Sequence, residues 1–215
     1  MNLENFSVSW IDFAVVIVIM LGVLRGRKRG MSEELLDVTR WLCIVAVASF
    51  TYEPAGNFLS EKLPFGSLSC YLAVYIAVII GFKLAFALIK RQLGEKLVGS
   101  DVFGRSEYYL GMVAGGVRFT CVLFVVLAML HARQYSAEEI RADDAYQERY
   151  YGSIRFPTMY SFQRQVFGVA WTGKLTRQYT PFLLIRQTAP EEKGLTASGI
   201  ARARERAFND VLEKR

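Results

Sequence analysis

Arg118 is the residue that most demands a chemical explanation. It is the single charged side chain between Leu110 and Leu130, in a stretch otherwise built of Leu, Val, Phe, Met, Gly, Ala, Thr and Cys. At 1.5 Å per residue that stretch is long enough to cross a bilayer core as a helix. A guanidinium at mid-membrane costs at least about 2.5–3.5 kcal/mol, so such an arginine faces protein or water and finds a counter-charge. Three roles are open: part of an anion or proton pathway, an internal pin against a carboxylate, or a snorkelling side chain whose head reaches the interface. Asp37 is the preferred partner, at a depth Arg118 can reach. Lys83 lies within another apolar stretch and either joins an Arg118–Asp37 cluster or snorkels. Asp12 stands near the start of the first apolar stretch, where interfacial solvation is expected.

Catalytic alternatives fail on residue type. The chain has one histidine, His131, so HExxH is impossible, and no GxSxG nucleophile elbow is present. Glu33-Glu34 resembles the paired glutamates of intramembrane proteases, but Val38 stands where those enzymes need an arginine. Cys43, Cys70 and Cys121 each fall in an apolar segment without a CxxC neighbour, and read as small buried apolar residues. No enzyme activity, cofactor or metal is expected.

The elements that must position these residues follow from hydropathy. Of the 215 residues 53% are apolar and 21% charged, against about 25% charged in an ordinary soluble domain. Four apolar helices are expected, at about 8–24, 31–52, 68–89 and 108–130, which is more than so short a chain can bury in its own core. The expected fold is therefore all-α, a four-helix integral membrane bundle over 1–131 followed by an amphipathic helical C-terminal tail over 132–215, interfacial or soluble. Ser32 is expected to cap the second helix, and Glu53-Pro54-Ala55-Gly56-Asn57 to end it. The connections alternate in charge. The first holds Arg25, Arg27, Lys28 and Arg29, the second only Lys62, and the third Lys90, Arg91, Lys96 and Arg105. Alternating crossings with positive loops inside then place the N-terminus and the C-terminus outside. The net charge of +6 would also suit nucleic acid, but its densest run lies between two apolar segments, so a cytoplasmic loop is the better reading and no nucleic-acid partner is expected.

Gly111 and Gly115 open the last helix, and Gly22 and Gly26 close the first. Small residues four apart let helix backbones approach closely. In the tail, Tyr160, Val166, Phe167, Ala170 and Trp171 fit one helical face with Gln163, Arg164 and Gln165 largely opposite. That face suits either the membrane interface or the bundle itself. A polar helix over 137–150 and a last charged helix over 198–212 complete the expected elements.

Two stretches in order resemble the colicin V production protein (CvpA) family. Trp10-Ile11-Asp12-Phe13 with Gly22-x-x-Arg25-Gly26-x-x-x-Gly30-x-x-x-Glu34 is similar to its first-helix signature, and Leu110-Gly111-x-x-x-Gly115-x-x-Arg118 to its last. Asp12, Arg25, Gly30 and Glu34 are thereby motif residues. The chain departs from the pattern in Glu107-Tyr108, where the family usually has Asp-Arg, and in Phe119, where it usually has Gly. The resemblance implies a multi-pass protein of the bacterial cell inner membrane with a non-enzymatic accessory or scaffold role in toxin production and export and in cell-envelope homeostasis. The partners it implies are the lipid bilayer and either further copies of the chain or envelope and secretion proteins. Two rival classes stand beside it: an oligomeric channel or ion-coupled transporter, and a membrane anchor that recruits a partner through its tail.

Overall fold

The computed structural model describes residues 9–63, 65–98, 104–152 and 156–189. Among these the chain is helical, with one isolated backbone bridge between Arg133 and Thr188 and no strand. The expected helix over 198–212 lies outside the described residues.

A long helical run, Trp10–Lys62, is broken at Gly30, whose φ of 77° and ψ of 170° no side-chain-bearing residue adopts cheaply. It therefore consists of two helices, α1 (10–29) and α2 (31–62). The chain reverses at this glycine. α1 approaches α4 (Glu107–His131) with opposite sense, Gly22 meeting Gly115 and Gly26 meeting Gly111. α2 runs along α4 in the same sense, from Glu34 beside Arg118 to Tyr52 beside the segment that also meets His131. The basic run Arg25–Arg29 thus belongs to a helix end with a one-residue connection, not to an extended loop.

α2 does not stop at Pro54. It continues to Lys62, because tertiary contacts outweigh the breaker. Tyr52 packs edge-on against Tyr71 with ring centres 5.8 Å apart, and Asn57 Oδ1 accepts the Tyr71 hydroxyl at 2.6 Å. Gly56 leaves room for the Tyr71 ring, which a Cβ there would meet at 2.9 Å or less. The glycine read as a helix stop is a packing glycine. Ser32 makes no cap, and its hydroxyl is buried without a hydrogen-bond partner among the described residues.

α3 (Ser67–Val98) returns along α2. Leu68, Cys70, Tyr71 and Tyr75 are buried in its first turns, while Ile76, Ile80, Leu84 and Leu88 beyond them are exposed. Ser67–Gln92 and Glu107–His131 are long and apolar enough to cross a membrane, with mean hydropathies of 2.5 and 2.2. No other helix among the described residues meets that measure.

Beyond α4, the polar helix α5 (Ala137–Tyr151) begins with a reciprocal cap in which Ser136 Oγ accepts the Glu139 N–H and Glu139 accepts the Ser136 N–H. α6 (Met159–Arg164) passes into a wide π turn, Gln165–Val169, and α7 (Trp171–Tyr179) follows after Ala170. Of the two settings open to the tail, residues 156–189 take the packed one. Val166, Phe167, Ala170, Leu184 and Ile185 join the core formed by Ile11, Ile44, Ala48, Tyr52, Val125 and Ala128. Gln163 is not on an outer face, since its amide turns inward to donate to the carbonyls of Leu130 and Arg133 at 3.0 and 2.9 Å.

Candidate functional site

The buried charge sits where α1, α2 and α4 converge near Gly30. Arg118 projects from α4 into α2, and its Nη1 lies 2.6 and 2.9 Å from the two carboxylate oxygens of Glu34 and 3.3 Å from Asp37 Oδ2. Arg29, the last residue of α1, reaches the same two carboxylates at 3.4 Å. Arg40, one turn beyond Asp37, completes the group at 3.1 Å from Asp37 Oδ1. Glu34 is 0% exposed. A carboxylate withdrawn that far from solvent is tolerable only when its lone pairs are occupied, and a guanidinium offers the geometry to do so.

Three helices thus contribute to one centre of three arginines and two carboxylates. Glu34 and Asp37 stand three residues apart on one face of α2, so both point to α4. Gly30 lets Arg29 fold back over that face, which a continuous helix would have carried away from it.

The glycines determine how close α4 comes. A Cβ on Gly111 would lie 2.6 Å from Gly26 O and 2.9 Å from Gly30 Cα, and one on Gly115 would lie 2.9 Å from Gly26 Cα. The two glycine pairs are therefore facing halves of one seam, backbone against backbone. Close approach of α1 and α4 brings Arg118 within reach of Glu34. Phe119, where the family pattern usually has glycine, lies across the seam from Gly22, whose Cβ would sit 2.7 Å from the ring.

Lys83 does not join this centre. It is exposed on α3, with no ion-pair partner among the described residues, because the register of α3 turns Ile79 and Phe82 toward the core instead. Arg25 is exposed at the end of α1. Asp12 departs from its expected solvated setting. It is buried at the opposite end of the bundle, where its oxygens accept N–H bonds from Trp171 at 3.2 Å and Thr172 at 3.0 Å, and the Thr172 hydroxyl at 2.8 Å. It also accepts the Ser9 N–H at 3.0 Å, closing the start of its own helix. Asp12 is thus an acceptor for the first N–H groups of α7, whose own preceding residue, Ala170, has no side chain to cap them.

Glu34 was assigned only a motif role by the sequence, and its place as the nearest counter-charge of Arg118 was missed. Its spacing of three from Asp37 was the available signal. A profile of the colicin V production protein family matches residues 11–147. The match covers α1 to α4 and most of α5, more than half of the chain.

The chain belongs to the colicin V production protein family.

No curated protein and no solved structure matches it. The family match takes in Asp12, the glycine seam and the whole arginine–carboxylate centre, and ends before the tail segments that close over Asp12.

Proposed function

We propose that this family member is a multi-pass protein of the bacterial inner membrane, acting as a non-enzymatic accessory or scaffold in colicin V production and export and in envelope homeostasis. The observation that carries this reading is the arginine–carboxylate centre. Arg118 is held by Glu34 and Asp37 at 2.6–3.3 Å, within one chain and beside a glycine seam. A guanidinium held by two carboxylates of one neighbouring helix suits a fixed pin between helices better than a charge that must change partners during transport. The four long helices supply the crossings. Even crossings accord with Asp12 and Thr172 meeting at one end while the basic run gathers at the other. Basic residues on the cytoplasmic side then leave both the N-terminus and the tail outside.

An oligomeric channel or ion-coupled transporter is the second reading. It draws on Lys83, exposed on an apolar helix on which Ile76, Ile80, Leu84 and Leu88 are exposed as well. The deciding experiment pairs complementation of colicin V export in a strain lacking the protein with ion flux in proteoliposomes. Restored export with inert proteoliposomes supports the scaffold. Flux that disappears in Arg118→Gln, with assembly intact, overturns it in favour of transport.

A further inference from the structure

At the basic end, on the outer side of the seam, α1 and α4 enclose a groove of about 790 Å³ lined by Leu24, Arg27, Lys28, Tyr108, Tyr109 and Met112. We propose that this groove binds an acidic phospholipid of the surrounding leaflet, with its phosphate on Arg27 and Lys28 and its acyl chains along the apolar strip below. The inference rests on the membrane reading given above.

The charge is the first ground. Within Arg25-Gly26-Arg27-Lys28-Arg29 the five positions have separate roles. Gly26 packs on α4, Arg29 turns inward to Glu34 and Asp37, and Arg27 and Lys28 line the groove. Among the described residues, neither Arg27 nor Lys28 has an ion-pair partner and none of those lining the groove is acidic. Two uncompensated cations on adjacent residues are complementary to a phosphodiester.

The second ground is the shape of what adjoins them. Leu24 and Met112 form the floor beside the cations. From there the exposed Met20, Leu21, Val113 and Val117 continue along α1 and α4 toward the middle of the bundle. A ligand that satisfies both parts is anionic at one end and apolar along its length. A free anion would use only the cations. Tyr108 and Tyr109, both largely exposed, stand at the level of the cations, where an amphipathic ring sits well between headgroup and acyl chain. From the sequence, Arg27 and Lys28 serve only to mark the cytoplasmic side. The fold divides the basic run into one residue for the centre and two for the groove.

The test uses the full chain reconstituted into phosphatidylethanolamine bilayers with and without phosphatidylglycerol, with lipids retained after detergent extraction counted by native mass spectrometry. Phosphatidylglycerol should be retained in preference to phosphatidylethanolamine. Arg27→Gln/Lys28→Gln should lower that preference about thirtyfold, while Arg25→Gln, outside the groove, should leave it unchanged. Equal loss in Arg25→Gln would mean diffuse attraction to the basic end and would overturn the groove. Displacement of the lipid by inorganic phosphate or glycerol phosphate would overturn it in favour of a free-anion site. Wild-type chain that inserts in the bilayer but retains both lipids equally refutes the groove alone. Chain that does not float with the vesicles refutes the membrane reading itself.

Discussion

Each end of the bundle buries carboxylate, and the two ends neutralise it differently. At one end Glu34 and Asp37 meet the guanidiniums of Arg118, Arg29 and Arg40. At the other, Asp12 meets the peptide N–H groups that open α7 and the hydroxyl of Thr172. The first arrangement sets full charge against full charge, and a substitution can delete either partner. The second sets a charge against backbone dipoles, which no substitution other than proline removes. The first is expected to fail when one partner is lost and to recover in part when both are lost. The second is expected to fail without rescue.

The largest effect should come from the seam that supports the charged end. Gly26→Leu would place a side chain against the backbone of Gly111 and Gly115, where no flexible neighbour can yield. The expected outcome is loss of the folded chain from membrane fractions, read by immunoblot, whereas Gly81→Leu on α3 accumulates normally because a Cβ there meets nothing.

Next comes the centre itself. Glu34→Leu leaves Arg118 and Arg29 with Asp37 as their one remaining shared carboxylate, so the loss should reach at most the roughly 3–5 kcal/mol that removing one partner of a buried pair costs. Arg118→Leu should cost a similar amount. In Glu34→Leu/Arg118→Leu the loss should be clearly smaller than the sum, measured as thermal unfolding in detergent. Additive losses would show that the 2.6 Å contact is not coupled, and the contrast between the two ends would collapse.

Gly30→Ala tests the reversal that brings Arg29 over Glu34. Backbone at φ 77° and ψ 170° penalises any side chain by about 1–3 kcal/mol, and the new Cβ would also crowd Glu107 at 2.8 Å. The expected result is a lower unfolding temperature with the bundle retained. An unchanged temperature would mean the turn is not held in this geometry.

What could be read from residues alone divides along the same line. Helix existence was legible because apolar runs such as 110–130 have no other stable setting. Arg118 stood out as the charge that needs a partner, and Asp37 as one within reach. Glu34 was harder to see, since an acid near a helix start is equally explained by the helix dipole. Only the reversal at Gly30 shows that its side chain faces α4. Pro54 and Gly56 signalled a stop because local propensity favours one, whereas the Tyr71 ring that makes the helix continue comes from the next element. Lys83 depended on the register of α3, which an apolar run of nearly uniform hydropathy does not encode. Asp12 was the least legible. Its partners, Trp171 and Thr172, are distant in sequence and contribute mainly backbone, which has no residue signature.

The smallest effect, and the sharpest contrast with the charged end, belongs to Asp12. Asp12→Ala leaves the Trp171 and Thr172 N–H groups without their acceptor, a loss of the size of a missing helix cap, about 0.5–2 kcal/mol. Asp12→Asn keeps one oxygen as acceptor and should lose less. The readout is local, since α7 and its neighbours carry Lys174, Arg177 and Arg186 as trypsin sites. Cleavage in 171–189 should accelerate in Asp12→Ala while the unfolding temperature falls only slightly. Adding Thr172→Val to Asp12→Ala removes the hydroxyl partner but leaves both N–H groups orphaned, so protection should not return. Restored protection in that double variant would mean that Asp12 is held chiefly by a side chain, as Glu34 is, and that the two ends obey one rule.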